Sequence, residues 1–339
     1  MRKLLNTLYI TTPESYLTKD GENIVVSVDR EEKFRVPAIN IESIVTFGYM
    51  GVSPGLMKLC SDHKISLCFL SPSGKYIGRF QSSVQGNVLL RKAQYNLADS
   101  EQSQQIANLM IAGKIRNSRN VLRRHLRDYG NNEDIQYACS ILEQSKNRAL
   151  NAENKQLLRG IEGDAAKAYY GVFSNLILNQ KEYFTFEGRN RRPPKDAVNA
   201  LLSFSYTLLA HECSSALETV GIDPYVGFMH TLRPGRPSLA LDMMEELRAY
   251  MCDRLVLSLI NRGQIKPSDF ISQGETEVTM TDAGRKTFLT AWQQRKKEVI
   301  QHPFLQEKVP IGLLPYVQAL LLARYIRKDL DSYPVFLIH

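Results

Sequence analysis

The hydrophobic pattern of the chain changes near residue 96, and this change constrains the fold more than any other feature. Before it, short apolar or alternating runs such as NIVVSVD, SIVTF, ISLCFL and KYIGRF are typical of β-strands. After it, apolar residues repeat with the helical period over long stretches that contain few turn dipeptides. The pattern predicts an α+β protein of two domains, with a small N-terminal β domain that contains one helix (residues 1–95) and a larger all-α C-terminal domain (residues 96–339).

Local signals predict where several elements begin and end. Ser53 is a suitable N-cap with Pro54 in the first helical position, and the turn signal PSG between two predicted strands indicates a hairpin. In the C-terminal part, Asp196 and Gly221 are the predicted cap and stop of one helix. The remaining predictions are a long helix that ends at Tyr129 and Gly130, a helix from Ser238 to about Arg262, a β-like piece at 270–281, a charged helix at 282–301 and an apolar helix at 311–330.

Length and composition limit the class of protein. The 339 residues are 43% apolar, which is enough material for two cores, and the five cysteines are scattered without a CxxC pair, so we expect them to be reduced and mostly buried. Neither a signal peptide nor a run of 18 uncharged apolar residues occurs, which predicts a cytoplasmic protein without a membrane partner. The net charge of +8 is compatible with a polyanionic partner.

Basic residues form a ridge on the first long helix of the C-terminal domain. Arg116, Arg119, Arg123 and Arg127 recur every three or four residues, with Lys114 and Arg124 beside them. A second basic group, Arg189, Arg191, Arg192 and Lys195, lies in the loop EGRNRRPPKD. We hypothesise that both groups contact the phosphates of a nucleic acid. The alternative is a solvated charged face, followed by a loop without fixed structure.

The stretch HTLRPGRPSLALDMMEELR combines a histidine loop with an acidic helix. On a helical wheel Asp242, Glu245, Glu246 and Asp253 share one side, and the preceding loop carries His230, Arg233 and Arg236. Carboxylates and an imidazole suit Mg²⁺ or Mn²⁺, and nearby arginines suit phosphate chemistry. A solvated acidic stripe and a histidine satisfied in the core are the alternatives.

Two further helices carry unusual residues. Glu162 lies between Gly160 and Gly163 in a helical segment, where each glycine costs about 1 kcal/mol relative to alanine. We expect the glycines to mark a close approach, either by another helix or by a nucleic-acid backbone. Asn199, Ser203 and Tyr206 form a polar stripe on an otherwise apolar helix and predict a polar pocket.

Taken together, these segments resemble the CRISPR-associated adaptation integrases, the family that inserts new spacers into a CRISPR array. The resemblance is carried by RGIEGDAAKAYYGVF, NALLSFSYTLL and GFMHTLRPGRPSLALDMMEELR, in that order, and by the N-terminal run from SIVTFGYMG to KYIGRF. It covers about residues 1 to 262. Beyond Asn261 the similarity becomes vague.

The resemblance implies a catalytic α domain that binds a divalent ion, Mg²⁺ or Mn²⁺, through Glu162, His230 and Glu245. Asp242 corresponds to a nearby acid that supports the site, Asn199 to a polar residue of the pocket, and Arg233, Arg236 and Arg248 to basic positions near it. The implied reaction is a transesterification in which the 3′-hydroxyl of a double-stranded DNA fragment attacks the repeat array, with cleavage of branched or single-stranded DNA as a side reaction. The implied assembly is a homodimer, formed through the β domain, with a small second adaptation protein.

Two other functions remain open from the sequence. A non-catalytic DNA-binding scaffold would use the same basic helix but have only salt-bridged acids at the predicted metal site. A divalent-metal phosphohydrolase would act on small nucleotides rather than on DNA.

Overall fold

The N-terminal part of the chain forms two small β-sheets with one helix. The computed structural model describes residues 6–48, 50–71, 76–80, 87–190, 193–273 and 277–338. The predicted turn at Pro72–Gly74 lies outside these residues. The elements are β1 Thr7–Ile10, β2 Tyr16–Asp20, β3 Asn23–Val28, β4 Glu31–Pro37, β5 Ser43–Phe47, β6 Gly51–Val52, α1 Pro54–His63, β7 Ser66–Leu70 and β8 Tyr76–Phe80.

Each sheet has four strands and mixed strand directions. The first has the order β1-β5-β7-β8, with parallel pairs except between β7 and β8, which are antiparallel as the hairpin prediction requires. The second has the order β4-β3-β2-β6, in which β2 pairs with β6 in parallel and the other pairs are antiparallel. α1 follows β6 and leads to β7, and Ser53 caps it at the Leu56 amide with Pro54 in the first turn, as predicted.

The first sheet is covered on both faces, which joins the β part to the helical part. Ile44 and Leu67 belong to a core shared with the second sheet and α1, whereas their neighbours Val45 and Cys68 belong to the core of the helical part. Successive residues of a strand point to opposite faces, so a sheet buried on both sides needs continuous apolar runs. This explains why SIVTF and ISLCFL lack a polar alternation.

The C-terminal part is mainly helical, with two short hairpins. Its helices pack around one large core. They are α2 Val88–Ala98, α3 Gln102–Tyr129, α4 Glu133–Leu150, α5 Lys155–Gly171, α6 Ala197–Val220, α7 Ser238–Arg248, α8 Arg254–Asn261, α9 Asp282–Lys297 and α10 Leu314–Ile326, and the hairpin strands are β9 Phe270–Gln273, β10 Glu277–Met280, β11 Val299–Gln301 and β12 Lys308–Pro310.

Most predicted helix limits agree with the structure. α3 ends at Tyr129, and α6 begins after the Asp196 cap and ends at Gly221, whose φ of 87° is left-handed. One prediction needs correction. The C-terminal part is not all-α, because the segment near 270–281 and a second segment form antiparallel hairpins. The division into two domains stays a prediction, and its boundary between residues 95 and 96 falls within α2.

The helix predicted from Ser238 to Arg262 contains a π-helical turn. Ala249–Asp253 form this turn between α7 and α8, and π turns inside α-helices often occur at functional sites. Ser238 is the first residue of α7, as predicted. Its hydroxyl donates to the Thr231 carbonyl at 3.3 Å, and no side chain caps the helix.

The C-terminal segment after α10 packs against α3 and α7. Asn117 of α3 donates to the Phe336 carbonyl at 2.7 Å and accepts from the Ile338 amide at 3.0 Å, which are backbone contacts of the kind a neighbouring strand would make. Val335 lies so close to Gly113 that a Cβ there would be 2.6 Å from its Cγ1. The Phe336 amide also donates to the Glu246 carboxylate of α7 at 2.5 Å, so the end of the chain, whose role the sequence leaves open, packs against the helix that carries the acidic residues.

Two predictions from composition concern the core and the membrane. All five cysteines are free and buried, as expected. No described helix is long and apolar enough to span a bilayer.

Candidate active site

The four acidic residues of the helix from Ser238 are buried, each with a different set of partners. Asp242, Glu245, Glu246 and Asp253 are at most 3% exposed. The alternative of a solvated acidic stripe is therefore wrong. A buried carboxylate needs hydrogen bonds or an opposite charge, so these four side chains fix what surrounds the helix.

Asp242 fastens the histidine loop to α7. One carboxylate oxygen accepts the Phe228 and Met229 amides at 2.6 and 2.9 Å. The other accepts the His230 amide at 2.9 Å and the His230 Nδ1 at 2.5 Å. This close approach requires Gly227, because a Cβ at that position would be 2.5 Å from the Asp242 carboxylate. Asp242 thus supports the site through His230.

The tautomer of His230 follows from this contact. Asp242 already accepts three amide hydrogens with its carboxylate, so Nδ1 of His230 is the donor in the fourth bond. In the neutral imidazole the other nitrogen, Nε2, is then left as an acceptor with a free lone pair. A histidine oriented by a carboxylate through one nitrogen, with the second available, is the usual arrangement of a metal ligand.

Arg159 holds the same loop from α5. Its Nη2 donates to the Met229 carbonyl at 3.1 Å and to the Thr231 hydroxyl at 2.8 Å. α5 also carries Glu162. One helix therefore positions both Glu162 and the loop that carries His230, which are two of the proposed metal ligands. Sequence inspection missed Arg159 and Gly227, because neither lies on a face or spacing that suggests chemistry.

Glu162 and Glu245 meet at a single ammonium group. Lys114 Nζ lies 2.5 Å from Glu162 Oε1 and 2.9 Å from Glu245 Oε2. The three residues come from α5, α7 and α3, and the Lys114 side chain is only 14% exposed. Burial alone would lower the pKa of Lys114, but Glu245 and Glu162 raise it, so the ammonium is charged. The sequence assigned Lys114 to the basic ridge instead.

Glu245 is kept ionised by its neighbours. Burial acts to raise the pKa of its carboxyl, but the charges of Arg248 and Lys114, with a smaller effect of His230, lower that pKa to about 2. Arg248 donates from Nη2 to Glu245 Oε1 at 2.5 Å, and its guanidinium lies over the Tyr206 ring at 4.7 Å. Arg248, proposed as a DNA contact, is thus largely enclosed beside the acid.

The donor set agrees in chemistry with a divalent ion. Glu162 and Glu245 already share one cation, and the buried Oε2 of Glu245 faces that cation at 2.9 Å. Hard ions such as Mg²⁺ and Mn²⁺ prefer carboxylate oxygens, and Mn²⁺ also accepts imidazole. In the described part of the chain, however, no three His, Cys, Asp or Glu side chains are already grouped to hold a metal. The Lys114 ammonium lies between the Glu162 and Glu245 carboxylates.

The glycines around Glu162 face open space. A Cβ at Gly160 or Gly163 would have no described atom within 4 Å apart from its own helix, and both residues are exposed. The expectation that another helix approaches here is wrong. Approach by a nucleic-acid backbone remains a prediction.

The polar stripe of α6 surrounds Arg189. This arginine donates to Asn199 Oδ1 at 2.7 Å and to Ser203 Oγ at 3.0 Å, and its guanidinium lies 5.3 Å from the centre of the Tyr206 ring. The predicted polar pocket therefore exists and contains an arginine from the basic loop. Arg191 and Arg192 lie outside the described residues.

The other basic residues occupy two surfaces. Arg116, Arg119 and Arg123 line a cavity of about 430 Å³ between α3 and α4, which also includes Lys146 and Glu143. Arg119 is paired with Glu143 at 2.9 Å, while Arg123 and Arg127 are exposed and Arg127 contacts Asp128. Arg233 is exposed and Arg236 half-buried in the loop before α7.

Asp253 lines the same cavity as Lys114, Glu245 and Arg248. Its carboxylate accepts the Tyr206 hydroxyl at 2.6 Å and the Tyr169 hydroxyl at 3.0 Å. Burial raises its pKa from 3.8 to about 6, although the two hydroxyls act in the opposite direction. Tyr206 thus links Asp253 to the ring contacts of Arg248 and Arg189.

Replacing this acid should change how stability depends on pH. The pKa of Asp253 is higher in the folded chain than in the unfolded one. Its contribution to the free energy of unfolding is therefore complete below about pH 4 and is lost as the pH rises through about 6. Asp253→Asn has no proton to lose, so its free energy of unfolding should fall by about 2 kcal/mol less than that of the wild type between pH 4 and 7. Urea unfolding at several pH values measures this, with the exposed Asp164→Asn as control. Parallel curves for Asp253→Asn and the wild type would contradict the assignment.

Comparison with known proteins identifies the family of the chain. The family model for CRISPR associated protein Cas1 matches residues 8–294. A CRISPR-associated endonuclease Cas1 from Chlorobaculum tepidum is 51% identical over 340 residues, which is 99% of each chain.

Solved structures share the fold. A casposase bound to its integration product has a TM-score of 0.84 at 23% identity, covering 98% of this chain and 93% of that one. A Cas6-RT-Cas1–Cas2 complex has a TM-score of 0.81 at 24% identity, covering 98% of this chain and 36% of that one. The match over most of the length, together with the high identity to the Chlorobaculum protein, shows that the chain belongs to the Cas1 family of CRISPR-associated proteins.

Proposed function

We propose that this protein is a divalent-metal-dependent DNA integrase with endonuclease activity, which inserts short DNA fragments into a CRISPR array. The observation that carries the proposal is the meeting of Glu162 and Glu245, from two helices, at one cation beside a histidine loop fastened by Asp242. The name of the Chlorobaculum relative supports endonuclease activity, and the fold shared with a casposase is compatible with integration.

In the proposed reaction the 3′-hydroxyl of a DNA fragment attacks a phosphodiester of the repeat. The new ester bond forms as the bond to the leaving 3′-oxygen breaks, so the number of phosphodiesters is unchanged and no ATP is needed. Glu162, His230 and Glu245 would hold Mg²⁺ or Mn²⁺. When bound, the ion would polarise the phosphate and stabilise the leaving oxygen. Water in place of the hydroxyl gives cleavage.

The other residues of the site have supporting roles in this proposal. Asp242 and Arg159 fix the orientation of His230, as their contacts with the loop indicate. Arg248 keeps Glu245 ionised and oriented through a 2.5 Å contact. Its buried positive charge also suits the negative charge that develops on a phosphate during transfer.

DNA would lie across the exposed face of α5 and the loops around the site. Gly160 and Gly163 leave this face open beside Glu162. Arg123, Arg127 and Arg233 are exposed and could contact phosphates, and Arg116 and Arg119 line the neighbouring cavity. The resemblance to the family further suggests a cytoplasmic homodimer formed through residues 1–95, assembled with a small second adaptation protein. The Cas1–Cas2 complex of the same fold is compatible with that assembly.

Glu162→Gln should remove the reaction without removing the fold. The amide keeps the shape and can still accept a hydrogen bond from Lys114, but it is a poor metal ligand. We expect joining and cleavage of DNA with Mn²⁺ to fall about 100-fold or more, with little change in melting temperature or in the DNA affinity measured without metal. Asp164→Asn, an exposed carboxylate on the same helix, is the matched control.

The result separates the proposal from the alternatives. Wild-type rates of joining and cleavage for Glu162→Gln, in a protein that folds and binds DNA normally, would show that the metal-site assignment is wrong. A wild-type protein that binds DNA but neither joins nor cuts it would favour a non-catalytic scaffold. Turnover of small nucleotides, without action on DNA, would favour a phosphohydrolase.

A larger side chain at Gly163 should block DNA without harming the protein. Gly163→Ala should increase the free energy of unfolding by about 1 kcal/mol, because the position is an exposed helix interior with open space around it. Gly163→Leu should fold equally well yet bind and join DNA more weakly than Gly163→Ala. Band-shift and joining assays with one DNA substrate compare the pair. Equal DNA affinity and activity in both variants would show that DNA does not approach this face.

A further inference from the structure

The position of Lys114 between two proposed metal ligands has a consequence beyond the proposed reaction. Its ammonium is within 3 Å of both Glu162 and Glu245, and it is the cation that bridges them. A divalent ion bound by the same two carboxylates would be brought against this positive charge. The two cations therefore compete for one place.

We propose that Lys114 occupies the metal position in the metal-free protein and is exchanged for the metal when DNA binds, its ammonium then pairing with a DNA phosphate. This inference rests on the proposed function. It makes Lys114 the residue that couples loading of the metal to binding of the substrate.

The surroundings of Lys114 explain why its ammonium needs a new anion after exchange. The cavity around it is lined by Arg248, Ser118, Tyr170 and Asp253, besides Glu245. Arg248 repels a second cation, and both oxygens of Asp253 already accept tyrosine hydroxyls. A buried ammonium without a partner is strongly unfavourable. A backbone phosphate on the open side of the site would supply the missing charge.

The side chain is suited to such an exchange. Lysine has a flexible four-carbon chain and a compact charge, so its ammonium can swing away while the backbone of α3 stays in place. α3 itself is anchored by Asn117, whose side-chain amide donates to the Glu246 and Phe336 carbonyls at 2.7 Å each. Because coupling between two ligands is reciprocal, DNA should increase the affinity for metal as much as metal increases the affinity for DNA.

Titration of the full-length protein with MnCl₂ tests the proposal. Calorimetry would be performed on the wild type and Lys114→Met, with and without a short DNA duplex that carries 3′-hydroxyl ends. We expect Lys114→Met to bind Mn²⁺ about tenfold or more tightly than the wild type without DNA. We also expect DNA to increase its metal affinity by a smaller factor than it does for the wild type. Lys286→Met, an exposed lysine of α9, is the control and should match the wild type in both respects.

Three other results would overturn the inference, and they differ in what they say of the proposed function. Equal Mn²⁺ affinity in Lys114→Met and the wild type, with both binding, would refute competition and leave the metal site intact. Lys114→Met could instead bind Mn²⁺ more tightly than the wild type while DNA raises the Mn²⁺ affinity of both proteins by the same factor. This result would show that Lys114 repels the metal without being exchanged for it. Absence of Mn²⁺ binding in both proteins, with and without DNA, would refute the metal site itself and the exchange with it.

Discussion

The burial of four carboxylates along α7 and the π turn that follows it is the constraint on which the rest of the site depends. A buried acid is tolerated only with partners, and each of the four recruits a different part of the chain. Asp242 binds the histidine loop, and Glu245 meets Lys114 and Arg248. Glu246 accepts the Phe336 amide and the Tyr333 hydroxyl from the C-terminal segment, while Asp253 accepts two tyrosines. One helix therefore orders the loop, the neighbouring helices and the end of the chain.

Adjacent residues Glu245 and Glu246 show how position decides the state of an acid. The cations beside Glu245 outweigh burial and lower its pKa to about 2, which keeps it available to a metal ion. Glu246 has only neutral hydrogen-bond donors, so burial dominates and its pKa rises to about 7. In the proposed function the first binds the metal ion, whereas the second holds the C-terminal segment against the helix. The C-terminal segment, for which the sequence predicted no role, thus supports the helix that carries Glu245.

Local signals in the sequence were reliable where the deciding contacts are local. Ser53, Asp196 and Gly221 were identified correctly because caps and stops involve residues three or four positions apart. The path of the loop before Ser238 could not be predicted in this way, since it depends on distant contacts with Asp242 and Arg159. Lys114 appeared to belong to a DNA-binding ridge, and only the packing of α3 against α5 and α7 brings it between two acids. Its partners are 48 or more positions away, beyond the reach of periodicity.

The central claim is that Glu162, His230 and Glu245 together bind a divalent ion. Anomalous diffraction from crystals of the protein grown with Mn²⁺ and a DNA duplex measures it most directly. We expect a manganese peak bounded by these three side chains, with the Lys114 ammonium moved away from the Glu162 and Glu245 carboxylates. A manganese ion bound elsewhere, or a Lys114 that still bridges Glu162 and Glu245 with no peak beside them, would contradict it.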